Sequence, residues 1–150
     1  MIARRALLGG LALALTLALT LAPTPARAQT PPPFATHKLV LQLSDASRDK
    51  QLLIISTANA MLKAYPDQIA IDVVAFGPGV ELLYRHGPER VAVDSLVAQG
   101  VRFDVCMNTI DTLARETGHA PELNPHAHKV PFGVRRILQL VGKGYVLVRP

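Results

Sequence analysis

The sequence predicts an α/β domain of three layers, α/β/α, built around a mostly parallel sheet. Two observations lead there. Apolar strand-like runs alternate with stretches of helical periodicity in the order β-α-β-α-β-α-α-β. One run, IAIDVVAFG at 69–77, is apolar almost throughout, which suits a strand covered on both faces of a parallel sheet. The chain has no tryptophan and few aromatics, so its core is expected to come from Val, Leu, Ile and Ala.

HKLVLQLS (37–44) is apolar and ends in polar turn formers, the mark of a strand. Ser44, Asp45 and Ser47 are candidate caps for the helix that follows. From Arg48 to Tyr65 the apolar positions Leu52, Ile55, Ala58, Met61, Leu62 and Tyr65 recur at helical spacing, and Pro66 stops the run. GPG (77–79) turns the chain; no Gly-Lys-Ser/Thr follows, so it is not a phosphate loop. VELLYRHGPE is a short helical turn or extended piece. RVAVDSLVAQG is a helix of about three turns that Gly100 ends in the left-handed conformation. VRFDVC (101–106) alternates Val101, Phe103 and Val105 against Arg102, Asp104 and Cys106, as a short strand does. NTIDTLARETG (108–118) is a helix closed by Gly118. HAPELNPHAHKVP is a loop with three prolines and three histidines. FGVRRILQLVGKG (132–144) is a helix with Val134, Ile137, Leu138 and Val141 on one side, and YVLVRP (145–150) is a last strand. No internal repeat is evident.

The first 28 residues stand apart. Arg4 and Arg5 precede an apolar run from Ala6 to Leu21, and Ala26-Arg27-Ala28 offers small residues for cleavage. This is the pattern of a secretory signal peptide over 1–28, cleaved near Ala28, and it places the mature chain in the periplasm or otherwise outside. The run is shorter than the ~20 residues of a spanning helix, so no stable membrane insertion is expected after cleavage. The paired arginines hint at twin-arginine export but lack the rest of that signal, so Sec and twin-arginine routes both stay open. QTPPPFAT (29–36) is a proline-rich leader. The remainder, 37–150, is one domain.

Removing the signal takes away three arginines and no acid. The formal charge falls from +5 to +2, with 13 basic side chains against 11 acidic. The basic isoelectric point is thus partly a property of the signal. With no arginine-rich run and no aromatic stacking array, no nucleic-acid partner is expected.

The chain has one cysteine, Cys106. In an oxidising compartment it has no internal disulfide partner. It is a buried small hydrophobe, an intermolecular crosslink or a reactive thiol. Its place, where a strand turns into a helix, favours reactivity. A helix N-terminus presents unpaired N–H groups and partial positive charge that stabilise a thiolate, a persulfide or a bound oxyanion. Asn108 or Thr109 is placed to cap that helix. Asp104, two residues back on the same strand face, works against a thiolate. His119, His126, His128 and Lys129 follow in the next loop. A Cys-His hydrolase needs one of those histidines within reach of the sulfur. A copper or zinc site on the histidine loop is a weaker reading, because the spacing is not a recognised ligand set.

GVRFDVCMNT resembles the segment around the single cysteine of DsrE/DsrF-like (YchN-type) proteins, in which G-V-x-F-x-x-C runs into x-N-T at the head of a helix. Gly100, Val101, Phe103, Cys106, Asn108 and Thr109 fit. VPFGVRRILQLVGKGYVLVRP resembles that family's closing V-P-x-G-V, helix and G-Y-x-x-x-x-P. The resemblance spans about 37–150. It implies the three-layer fold, a homo-oligomer, and a sulfur carrier that holds sulfane sulfur as a persulfide or thiosulfonate on Cys106. Asn108 and Thr109 would hold the loop and cap. Small sulfur donors and acceptor thiols or proteins would be the partners, with no metal and no organic cofactor. Met107 is bulkier than the residue expected there and narrows the approach to the sulfur. The rival reading is an oligomeric binding module with an inert cysteine.

Overall fold

The computed structural model describes residues 34–150. The signal peptide expected at 1–28, and most of the leader at 29–36, lie outside the described residues. The elements are β1 (His37–Leu43), α1 (Arg48–Ala64), β2 (Ile69–Ala75), a 3-10 helix (Gly77–Leu83), α2 (Arg90–Ala98), β3 (Arg102–Cys106), α3 (Met107–Thr117), β4 (His128–Val130), α4 (Gly133–Gly142) and β5 (Val146–Val148). No described helix is long and apolar enough to cross a membrane.

The five strands form one all-parallel sheet in the order β4-β3-β2-β1-β5. From β1 to β4 the chain steps across the sheet in one direction, which keeps α1, α2 and α3 on one face. It then reverses to place β5 beside β1, and α4 covers the other face. The three layers follow from that single reversal.

Strand alternation divides the core. Leu39, Leu41 and Leu43 of β1, Ile71 and Val73 of β2, and Phe103 and Val105 of β3 face the three helices. They meet Ile54 and Ala58 of α1, Leu96 of α2 and Ile110 of α3. Each such burial is worth about 1.5–3 kcal/mol against an exposed side chain. The opposite face has a smaller cluster: Val40, Ala70 and Val74 under Ile137 and Leu140 of α4, with Tyr145. β2 is buried over all seven residues, as a central strand should be. Gly100 and Gly118 end their helices with φ of 91° and 83°.

Four local expectations are corrected. The segment 119–131 is not all loop: His128–Val130 pairs with β3 as the sheet's edge. In α1 the buried stripe is Gln51, Ile54, Ile55 and Ala58, with Leu52 and Tyr65 exposed. Ser47 stands at the head of α1 without a side-chain cap bond, and its N–H donates to Asp45 Oδ1 at 2.6 Å. In α4, Ile137 and Leu140 face the sheet while Val134, Leu138 and Val141 face outward.

Candidate functional site around Cys106

β3 delivers Cys106 to the carboxyl edge of the sheet, and α3 begins with the next residue. Its neighbour β4 delivers Val130 opposite Cys106, and α4 begins three residues later. Two helix N-termini therefore converge on this edge beside one thiol. Each brings unpaired backbone N–H groups and partial positive charge.

The thiol is nearly covered, at 5 % exposure. Its Sγ lies 4.0 Å from the Pro131 carbonyl oxygen, at the outer limit for a weak S–H bond. The same carbonyl accepts the Asn108 N–H at 3.1 Å. A protein oxygen thus takes up one of the N–H groups of α3 that would otherwise serve an anion on the sulfur.

Asn108 and Thr109 do not cap α3. They are its second and third residues, Cys106 holds the cap position, and no side-chain cap bond forms there. The Thr109 Oγ1 accepts the Gly77 N–H at 3.0 Å and ties α3 to the start of the 3-10 helix. The Asn108 side chain is exposed and lines a hollow of about 330 Å³ with Met107, Asp111, Lys129, Pro131 and Phe132. The hollow opens next to Cys106 in sequence and across the β3–β4 pairing, without the cysteine in its wall. A second hollow, about 300 Å³, lies where the 3-10 helix meets α3, lined by Pro78, Glu81, Tyr84, Thr109 and Glu116 among others.

The three histidines are not gathered on the sulfur. His119 and His126 are exposed on the connection after α3, whereas His128 sits in β4 opposite Asp104. Burial, then the charge of Arg102, pulls His128 below its ordinary value. Among the described residues no group of three or more His, Cys, Asp or Glu is arranged to hold a metal.

An ion cluster between the sheet and α4 went unread in the sequence. Asp72 of β2 and Asp104 of β3 are both buried, at 3 % and 0 % exposure. Arg102 Nε bonds Asp104 Oδ1 at 2.8 Å and lies 3.4 Å from Asp72 Oδ1. Arg136, from the first turns of α4, donates through Nε to Asp104 Oδ2 and through Nη2 to Asp72 Oδ1 at 3.3 Å. Burial, and next the charge of Asp104, raises the Asp72 carboxyl above its ordinary value. Burial, with Asp72 adding to it, pushes the Tyr145 hydroxyl up to about 12. Burial works to lower Arg136, but Asp104 and Asp72 outweigh it and hold the guanidinium above its usual value. The charges of Asp104 and Arg136 are thus spent on each other rather than on the sulfur. One signal was present: Asp72 stands inside the strand that the sequence expects to be covered on both faces, and a buried carboxylate requires partners.

No family model matches the chain, and no curated protein matches it. A solved structure, described as the protein of unknown function MTH1491 from Methanobacterium thermoautotrophicum, is similar with a TM-score of 0.69 and 29% identity. The match covers 76% of this chain and 99% of that one. The three-layer α/β architecture is therefore one already found in a solved protein.

Proposed function

We propose that this protein is an exported sulfur carrier of the DsrE/DsrF-like type, with Cys106 as the carrying residue and the signal at 1–28 directing export. The observation that supports it is the placement of the chain's single cysteine at the head of α3, on the carboxyl edge of a parallel sheet. The Cys106 thiolate attacks the outer sulfur of a donor such as thiosulfate. The S–S bond of the donor breaks, sulfite leaves with the bond pair, and a cysteine persulfide remains. An acceptor thiolate then attacks the outer sulfur of that persulfide, takes it, and returns the Cys106 thiolate. The N–H groups at the start of α3 favour the anionic sulfur in both steps. Thr109 steadies α3 through Gly77, and Lys129 supplies a cation beside the hollow for an anionic donor.

The test is transfer. Protein treated with thiosulfate and freed of donor is mixed with a small thiol, and the persulfide formed on that thiol is measured. The wild type is expected to pass on about one sulfur per chain, and Cys106→Ser none. Equal transfer by both removes Cys106 from the role.

One observation favours the second reading, an assembly module with an inert cysteine. Val134, Leu138 and Val141 on the outer face of α4 are exposed, and so is β5. A second copy of this chain is the occupant that reading names. It is distinguished by a self-association that Leu138→Lys abolishes, together with a Cys106 that reacts with thiol reagents only in denaturant.

A further inference from the structure

Pro131 and Arg136 belong to one unit at the head of α4. The Arg136 N–H bonds the Phe132 carbonyl at 3.0 Å. Gly133 lies so close to Phe76 that an added Cβ would stand 3.0 Å from the Phe76 Cβ. The pairing of Val130 with Cys106 brings Pro131 to this edge, and the turn that follows leaves its carbonyl over the Cys106 sulfur and on the Asn108 N–H. The apolar grip of α4 on the sheet is small, being mainly Ile137 and Leu140. What reaches further into the sheet is Arg136, bonded to Asp104, two residues before Cys106 on the same strand face, and to Asp72 on the next strand.

We propose that Arg136 is the positioning residue of a cover over Cys106, a latch that holds the head of α4 and the Pro131 carbonyl against the thiol. With the latch made, the sulfur is covered and the Asn108 N–H is occupied. With the head of α4 lifted, both become available together, so access to the thiol and readiness of the α3 N-terminus are one event. A covered resting state also explains how a lone thiol is shielded from adventitious oxidation while it stays usable. The latch governs access to the thiol whatever that thiol carries.

Iodoacetamide alkylation of the single cysteine, followed by mass at rising urea below the unfolding transition, tests this without any sulfur donor. Hydrogen exchange at the Asn108 amide is the companion reading. In the wild type the labelling rate is expected to be nearly flat in urea, the sign of a local opening rather than global unfolding. Arg136→Met is expected to raise that rate about tenfold, equivalent to about 1.4 kcal/mol, with Asn108 exchange rising in step. Arg136→Lys, which keeps the charge but loses the two-pronged bond, should fall between. Arg135→Met, on the exposed neighbour, should leave the rate unchanged. The proposal is overturned if wild-type labelling follows the urea slope of global unfolding, or if Arg136→Met labels at the wild-type rate. Should Arg136→Met fail to fold, Arg136→Lys is judged by the same rate. Because alkylation uses no donor, a failure of sulfur loading leaves this result standing, and the reverse also holds.

Discussion

Gly79→Ala is the substitution with the sharpest structural consequence. Gly79 lies in the 3-10 helix against the carboxyl end of β1. A Cβ built there would stand 2.4 Å from the Leu43 carbonyl oxygen, 2.7 Å from its carbon and 2.9 Å from its Cγ. The first of these is about 0.6 Å inside the 3.0 Å below which real Cβ atoms essentially never come. Two of the three atoms are backbone, so no side-chain rotation relieves the contact. The Leu43 carbonyl is further pinned by accepting the Phe76 N–H at 3.1 Å. The 3-10 helix must therefore move, and it carries the fully buried Val80, Leu82 and Leu83. Overpacking of this kind costs about 1–3 kcal/mol, with more where backbone is forced aside, so about 3 kcal/mol is expected. For a domain of this size that is a fall in Tm of roughly 12 °C. Gly133→Ala is the comparison, because its nearest contacts are the Phe76 Cβ, Cδ1 and Cγ at 3.0–3.3 Å, which a shift of a few tenths of an ångström relieves; about 1 kcal/mol is expected there. Urea melts of both variants decide. A Gly79→Ala loss below about 0.5 kcal/mol, or one smaller than that of Gly133→Ala, refutes the argument.

Thr109→Val keeps the shape and removes the acceptor of the Gly77 N–H; a loss of about 1–2 kcal/mol is expected in urea, whereas Asn108→Ala, with its side chain exposed, should change stability by less than about 0.5 kcal/mol. The Asp72 carboxyl is raised in the fold, so between its unfolded value of 3.8 and its folded value the native state binds more protons. Stability from this group is full below that window and is lost as pH rises through it. Asp72→Asn is expected to flatten that part of the stability–pH curve; an unchanged slope would count against the buried cluster.

The fold was legible because its signals are local. Strands β1, β2 and β3 are apolar runs, α1 to α3 have the helical period, and Gly100 and Gly118 stand where their helices end. The misses have physical causes. β4 is three residues, begun by a histidine and followed by a proline, and becomes a strand only because β3 pairs with it. In α4 the apolar side chains lie on more than one face, and the buried one, with Ile137 and Leu140, is the one that carries Arg136 to the two acids on the sheet. Cys106 was legible as the candidate site because it is the only cysteine at a strand-to-helix turn. Its cover was not, because the Pro131 carbonyl reaches it through strand pairing 25 residues on.

As the proposed carrier residue, Cys106 must accept sulfur. The most direct measurement is the intact mass of the protein before and after thiosulfate or polysulfide, and again after reductant. A gain of one or more sulfur atoms, reversed by reductant and absent in Cys106→Ser, is the predicted result. An unaltered mass with the thiol still titratable, or a gain that persists in Cys106→Ser, would contradict it.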